Sequence, residues 1–194
     1  TYNDGLINLY VDGVLDQTAN HYFDLENDDK ISLRQEYDNG MVTSNFFRGN
    51  LDELRLWRKV LDQNTEIIPR MTSQLVGNEP FLFSYFSFDN NMGGTSLENS
   101  FTFVGEGTLN NFALTGITSN WIVDPCDCTS PENISLDFNR SNQDYVNLNA
   151  ISPAMSNLTR FTLEFWVQFS GPQSTQYDVV FSANFSTGGN RFVV

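Results

Sequence analysis

Phe161-Thr162-Leu163-Glu164-Phe165-Trp166-Val167-Gln168-Phe169 sets Phe161, Leu163, Phe165, Val167 and Phe169 at every second position, with mostly polar residues between them. Successive side chains of an extended chain point to opposite sides, so a period of two marks a strand that buries one face. The alternation places the Phe165 ring in a core. Working outward, Ile7, Leu9 and Val11 alternate with Asn8, Tyr10 and Asp12, and Asp12-Gly13 is a favoured two-residue hairpin turn leading into Val14 and Leu15. Further strands are expected at Lys30 to Leu33, Asn50 to Trp57, Phe81 to Phe88, Ile134 to Phe138, Tyr145 to Leu148 and Val179 to Phe181, separated by Gly, Asn and Asp clusters. One short helix is expected after Leu61, with Asp62 capping the amides of Gln63 to Glu66 and Pro69 closing it. Many strands, turn-rich gaps and almost no helical period predict an all-β, antiparallel jelly-roll sandwich.

The 194 residues carry 24 acidic and 10 basic side chains, a net charge of −14. With 40% hydrophobic residues, 17 of them Phe, the chain has the apolar surface for a packed core and is not a disordered acidic tail. The negative field repels polyphosphate, which argues against nucleic acid as a partner and equally against anionic membranes. The richest apolar run, Phe81 to Phe88, is far short of the roughly 20 residues that span a bilayer, so direct membrane insertion is not expected. The chain opens at Thr1 and ends at Phe192-Val193-Val194 in strand-like sequence, and is read as an excerpt of a longer protein. Cys126 and Cys128 are too close in sequence for an unstrained mutual bridge. His21 is the sole histidine and lies far from them, so pairing elsewhere or a free role is expected ahead of zinc.

Gly49-Asn50-Leu51-Asp52-Glu53-Leu54-Arg55-Leu56-Trp57-Arg58-Lys59-Val60-Leu61 resembles the last core strand of laminin-G-like, concanavalin A-like jelly rolls and the helical turn after it. Thr1-Tyr2-Asn3-Asp4-Gly5 and Leu9-Tyr10-Val11-Asp12-Gly13 resemble the middle of that family. Ile134-Ser135-Leu136-Asp137-Phe138, Asp144-Tyr145-Val146 and the Phe161 strand resemble its beginning. The order is inverted, a second half preceding a first half. Two explanations fit: a window across the junction of tandem repeats, or a permuted single domain whose halves pair with each other. The window is preferred, giving residues 1–75 as the closing half of one laminin-G-like domain, 76–130 as an inter-repeat connector with strands, and 131–194 as the opening half of the next. Leu75 to Asn90 and Gly107 to Trp121 resemble the connector between such repeats in large secreted bacterial surface proteins.

The resemblance implies calcium as a candidate cofactor, clamped between an early turn and the final core strand, with Asp52, Asp137, Asn139 and Asp144 as donors. The alternative for Asp52 is an ion pair with Arg55 or Arg58, or plain hydration. Asp24 to Asp29 lacks the glycine and the terminal glutamate of a calcium loop and reads as a solvated acidic turn. Trp57, Trp166 and Tyr177 are candidate rings for stacking on sugars, set against sheet packing for Trp57 and Trp166.

Catalysis is not expected. The paired carboxylates of sandwich glycosidases need spacing of the Glu-x-Asp-x-x-Glu kind along one strand face, whereas Asp52 and Glu53 are adjacent and Glu164 stands alone. Gly105 to Asn110 has two glycines of a dinucleotide fingerprint without the third, and reads as a turn. The expected role is a segment of a secreted, multi-repeat cell-surface adhesin, located outside the cell. It acts there as a rigid spacer and calcium-dependent glycan-binding module, with surface glycans or polysaccharide and neighbouring repeats as partners. The alternative is an accessory carbohydrate-binding module of a secreted polysaccharide-degrading enzyme.

Overall fold

The computed structural model describes residues 1–22, 25–26, 29–38, 42–44, 46–101, 104–123, 134–171, 178–184 and 191–194. Among these, the strands in chain order are β1 (Tyr2–Asn3), β2 (Leu6–Val11), β3 (Val14–Asn20), β4 (Lys30–Leu33), β5 (Glu36–Asp38), β6 (Val42–Ser44), β7 (Gly49–Trp57) and β8 (Leu82–Phe86). They continue as β9 (Ser96–Leu97), β10 (Gly107–Asn110), β11 (Trp121–Val123), β12 (Ile134–Phe138), β13 (Tyr145–Asn147), β14 (Arg160–Phe169), β15 (Phe181–Asn184) and β16 (Arg191–Val193). Two antiparallel sheets dominate: an eight-stranded one ordered β11-β12-β7-β14-β1-β2-β3, with β8 also paired to β7, and a six-stranded one ordered β16-β15-β4-β13-β10-β9. The fold is the expected all-β antiparallel sandwich.

The core lies between the sheets. Leu51, Leu54 and Leu56 of β7, Phe161 of β14 and Leu136 and Phe138 of β12 meet Ile31 and Leu33 of β4, Val146 of β13 and Phe181 of β15. Phe161 is 1% exposed and packs its ring 5.3 Å from Tyr2 and 5.5 Å from Phe192. Leu163, Phe165 and Val167 are partly buried against the same core, while Phe169 at the strand's end is 55% exposed and meets Phe47 edge-on at 5.5 Å. The period of two therefore reports the correct face along all of β14, with burial fading towards its end.

Strand pairing runs across the expected segment boundaries. β7, from the first part of the chain, is hydrogen-bonded on one edge to β14 over the register Thr162↔Trp57 to Phe169↔Gly49. On the other edge it carries β12, with Leu136↔Leu51, Asp137↔Asn50 and Phe138↔Gly49. The intervening stretch supplies β8 to one sheet and β9 and β10 to the other. The apolar face of β7 is thus covered by residues of its own chain.

Local sequence explains most boundaries. Asp12 and Gly13 both take positive φ, 49° and 74°, as the two-residue hairpin turn between Val11 and Val14 requires. Asp62 Oδ1 accepts from the amides of Asn64 and Thr65 at 3.0 and 2.9 Å and starts the helical turn Gln63–Ile67. Pro69 does not close the helix as expected. It sits in the first turn of the continuation Ile68–Arg70, where its missing N–H costs nothing. Gly107 opens a strand where a turn is expected: a Cβ there would stand 2.8 Å from the Val146 side chain and 2.9 Å from that of Leu148, so the glycine serves close packing between β10 and β13.

Phe161→Ala is expected to lower unfolding free energy by about 3 to 5 kcal/mol, because the cavity lies in the close-packed core. Phe165→Ala should cost less than this, its ring being only partly buried. Urea unfolding of both variants checks the order, and a larger loss at Phe165 would contradict the placement of β14.

Candidate functional site

The outer face of the eight-stranded sheet is divided into a covered half and an open half, and the division is set by β7. Leu51, Leu54 and Leu56 point to the core, so an extra residue must be accommodated between Leu51 and Leu54. Register passes from Glu164↔Arg55 to Trp166↔Asp52, which sets two residues of β7, Glu53 and Leu54, against Phe165 of β14. Glu53 absorbs this bulge with φ of 55°, a left-handed conformation that costs a residue with a Cβ about 1 to 2 kcal/mol. Its carboxylate is held in return. Tyr85 Oη donates to Oε1 at 2.7 Å, Arg55 Nε donates to Oε2 at 3.0 Å, and Arg55 Nη2 also bonds Oε2.

Beyond the bulge the outer face is roofed by the helical turn. Trp57, Leu61, Ile67, Leu82 and Tyr85 form a second apolar cluster there. Trp57 is fully buried, with its Nε1 donating to Glu164 Oε2 at 2.7 Å and the Arg70 guanidinium 4.8 Å above its ring. Arg55 donates to the carbonyls of Arg70 and Ser73 at 2.8 and 2.7 Å and ties the roof down. Trp57 therefore presents no free ring to a sugar, and packing is its role. Burial pushes the Glu164 carboxyl up, opposed by the Trp57 hydrogen bond and by Arg55 and Arg70.

Before the bulge the face is open. Asp137 of β12, Asn50 of β7 and Gln168 of β14 lie side by side in register, and in the next row Asp52 lies opposite Trp166. Trp166 is 44% exposed. Asn50 Nδ2 donates to Gln168 Oε1 at 3.1 Å, while Asn50 Oδ1 is enclosed without a hydrogen-bond partner. Asp52 Oδ1 accepts from the Glu53 amide at 2.8 Å. Burial, then the carboxylates of Glu53 and Asp89, push the Asp52 carboxyl up to about 8. Burial also raises Asp137, opposed by Arg34 and Arg48. An exposed indole, an amide pair and two carboxyls on one sheet face form an arrangement that can stack on a pyranose ring and bond its hydroxyls.

Of the four expected calcium donors, Asp137, Asn139 and Asp144 lie close together at the end of β12, the Asn139 amide bonding Asp144 and the Asp137 carboxylate acting on it, while Asp52 lies beyond Asn50 on β7. Asp144 is fully buried, its Oδ2 accepting from the Asn139 amide at 2.8 Å and Asn120 Nδ2 at 3.2 Å and pairing with Arg34 at 3.8 Å. Arg34 is itself buried between the rings of Phe46 and Phe138 and bonds the carbonyls of Phe47 and Asp144. Asp144 is thus committed to holding the β12–β13 turn to the core, and Asn139 Oδ1 accepts from the Ser141 amide at 3.0 Å within that turn. Asp52 and Asp137 remain on the open face with Asn50 between them. Among the described residues no three acidic, His or Cys side chains gather to hold a cation. Tyr177, Cys126 and Cys128 lie outside the described residues, as do parts of the Asp24 to Asp29 turn. Asn50 and Gln168 were not anticipated as site residues. Their signal was available in the period of two, since each stands two positions from Asp52 or Trp166 on the same strand face.

Residues 1–65 match the Laminin_G_3 family model, described as the concanavalin A-like lectin/glucanases superfamily. The matched segment runs from β1 through β7 into the helical turn, a part of the chain that carries Asn50 and Asp52 but not Trp166. No curated protein and no solved structure matches the chain. A match to a lectin/glucanase superfamily model over residues 1–65, in a two-sheet antiparallel sandwich, is compatible with carbohydrate binding.

Because the folded state holds the Asp52 proton up to about pH 8 and the unfolded chain releases it near its ordinary value of 3.8, this group lowers stability progressively as pH rises between the two. Asp52→Asn is isosteric with the protonated form. It should match the parent at pH 4 and exceed it at pH 9 by on the order of 2 kcal/mol in denaturant unfolding. A difference independent of pH would show that Asp52 is not held protonated.

Proposed function

We propose that this chain is a non-catalytic carbohydrate-binding sandwich, used by a secreted, multi-repeat cell-surface adhesin, and that its ligand lies on the open face around Trp166. The observation carrying this reading is the exposed Trp166 indole in register with Asp52 and beside the Asn50–Gln168 pair. The superfamily match over residues 1–65 supports a sugar as ligand. Binding is preferred to turnover because Glu53 and Glu164 are spent on Arg55, Tyr85 and Trp57 in holding the sheet and its roof. The net charge of −14 supports the adhesin context, since repulsion between neighbouring acidic copies would keep an array extended. An accessory module of a polysaccharide-degrading enzyme would use the same face.

A glycan array probed with the parent chain and with Trp166→Ala tests the proposal. Loss of the stacking ring should weaken the retained glycans about tenfold or more, the equivalent of roughly 1.4 kcal/mol, while thermal unfolding is nearly unchanged because Trp166 is outside the core. Since Asp144 is committed to Arg34, Asn120 and the Asn139 amide, the binding should survive a chelator. Retention of full affinity by Trp166→Ala, or an array without signal, would overturn the assignment.

A further inference from the structure

Register along the larger sheet leaves an interval one strand wide. Tyr2 of β1 stands between Phe161 of β14 and Ile7 of β2, and Asn3 stands between Arg160 and Leu6. Thr1 closes the pairing with β2, its amine donating to the Asn8 carbonyl at 2.7 Å and its carbonyl accepting from the Asn8 amide at 2.9 Å. Both neighbours run on past this point, β14 to Phe169 and β2 to Val11, and among the described residues no strand pairs with either across the interval. The extra residues of the two nearby bulges lie on β7 and β3, so β14 and β2 keep a regular period here. The same register therefore sets Leu163 across from Leu9, Glu164 across from Tyr10 and Phe165 across from Val11.

Backbone groups of antiparallel strands turn to alternate edges. Asn8 exchanges both its bonds with Thr1, so Tyr10 is the next residue of β2 to turn its N–H and C=O to the interval. On the other wall, Thr159 accepts from the Asp4 amide at 2.7 Å, which gives the same orientation to Leu163, Phe165 and Val167. The side chains make a matching demand. Leu163, Phe165 and Val167 are only partly buried against the core, and Leu9 and Val11, on the same face as Ile7, are 41% and 52% exposed. An extended polypeptide pairs with both walls and covers this apolar row with every second side chain, which neither a helix nor a saccharide can do.

We propose that the interval between β14 and β2 receives an extended strand of a partner polypeptide, antiparallel to both, with apolar residues towards the core alternating with polar ones. This inference is independent of the carbohydrate-binding reading. Main-chain bonds to the two walls supply affinity, and the alternation supplies selectivity.

The test is titration of the full chain with a capped, fluorescently labelled peptide of seven residues, three valines alternating with lysine and threonine, followed by anisotropy and by hydrogen exchange of assigned amides. The expected result is saturable binding that slows exchange at Tyr10, Leu163 and Phe165 by about tenfold or more at saturation. The same peptide with its valine amides N-methylated keeps its charge and side chains but loses those donors, and should bind about tenfold more weakly or worse. Val11→Asp, at an exposed position, should weaken the peptide severalfold with thermal unfolding nearly unchanged. Equal binding of the methylated peptide, protection confined to the β3 edge, or no binding up to about 1 mM would each overturn the proposal. A concentration-dependent dimer with the same amides protected in the absence of peptide would overturn it too, since the occupant would then be a second copy of the chain.

Discussion

Hydrogen bonding along both edges of β7 is the constraint from which the rest of the molecule follows. The strand runs down the middle of the larger sheet, with β14 on one edge and β12 and β8 sharing the other. Its inner side chains, Leu51, Leu54 and Leu56, are each 2% exposed or less, so their burial depends on partners that lie far away in sequence. A single extra residue at Glu53 keeps all three facing inward. Without that bulge, a continuous period of two would turn either Leu51 or the Leu54 and Leu56 pair out to solvent.

The same bulge gives the outer face its two characters. On its far side, Arg55 and Trp57 are fixed beneath the helical turn by bonds to Glu53, Glu164 and the carbonyls of Arg70 and Ser73. Short of it, Asn50 and Asp52 face outward beside Trp166 and Gln168, where among the described residues nothing comparable to that roof covers the indole. Stability and recognition are thus adjacent on one strand. The desolvated Asp52 is the boundary between them, its carboxyl held protonated up to about pH 8 by burial and by the carboxylates of Glu53 and Asp89.

Much of the architecture was legible because short-range rules govern it. The alternation through Phe161 to Phe169 identified the inner face of β14, the Lys30 to Leu33 and Ile134 to Phe138 strands have the expected bounds, and Asp12-Gly13 makes the expected turn. Three features were not legible, each for a tertiary reason. Trp57 and Trp166 occupy equivalent outward positions, and only the return of the chain after Leu61 decides that the first is covered and the second open. Gly107 looked like turn chemistry, whereas the neighbouring side chains of Val146 and Leu148 make its missing Cβ a packing requirement. Asp144 looked like a cation ligand, but the buried Arg34, more than a hundred residues earlier, takes that carboxylate into the core. The inverted order of the laminin-G-like motifs was visible in the sequence, while the pairing of its halves depends on long-range contacts that no local pattern encodes.

The most direct test of this account is a map of backbone nuclear Overhauser contacts in the isotopically labelled full chain, repeated on a mixture of labelled and unlabelled protein. One self-contained sandwich predicts contacts between Leu56 and Leu163, between Leu51 and Val167 and between Leu51 and Leu136, all arising within single molecules. If those contacts were missing, or appeared only between labelled and unlabelled chains, β7 would take its partners from outside its own chain and the account would be contradicted.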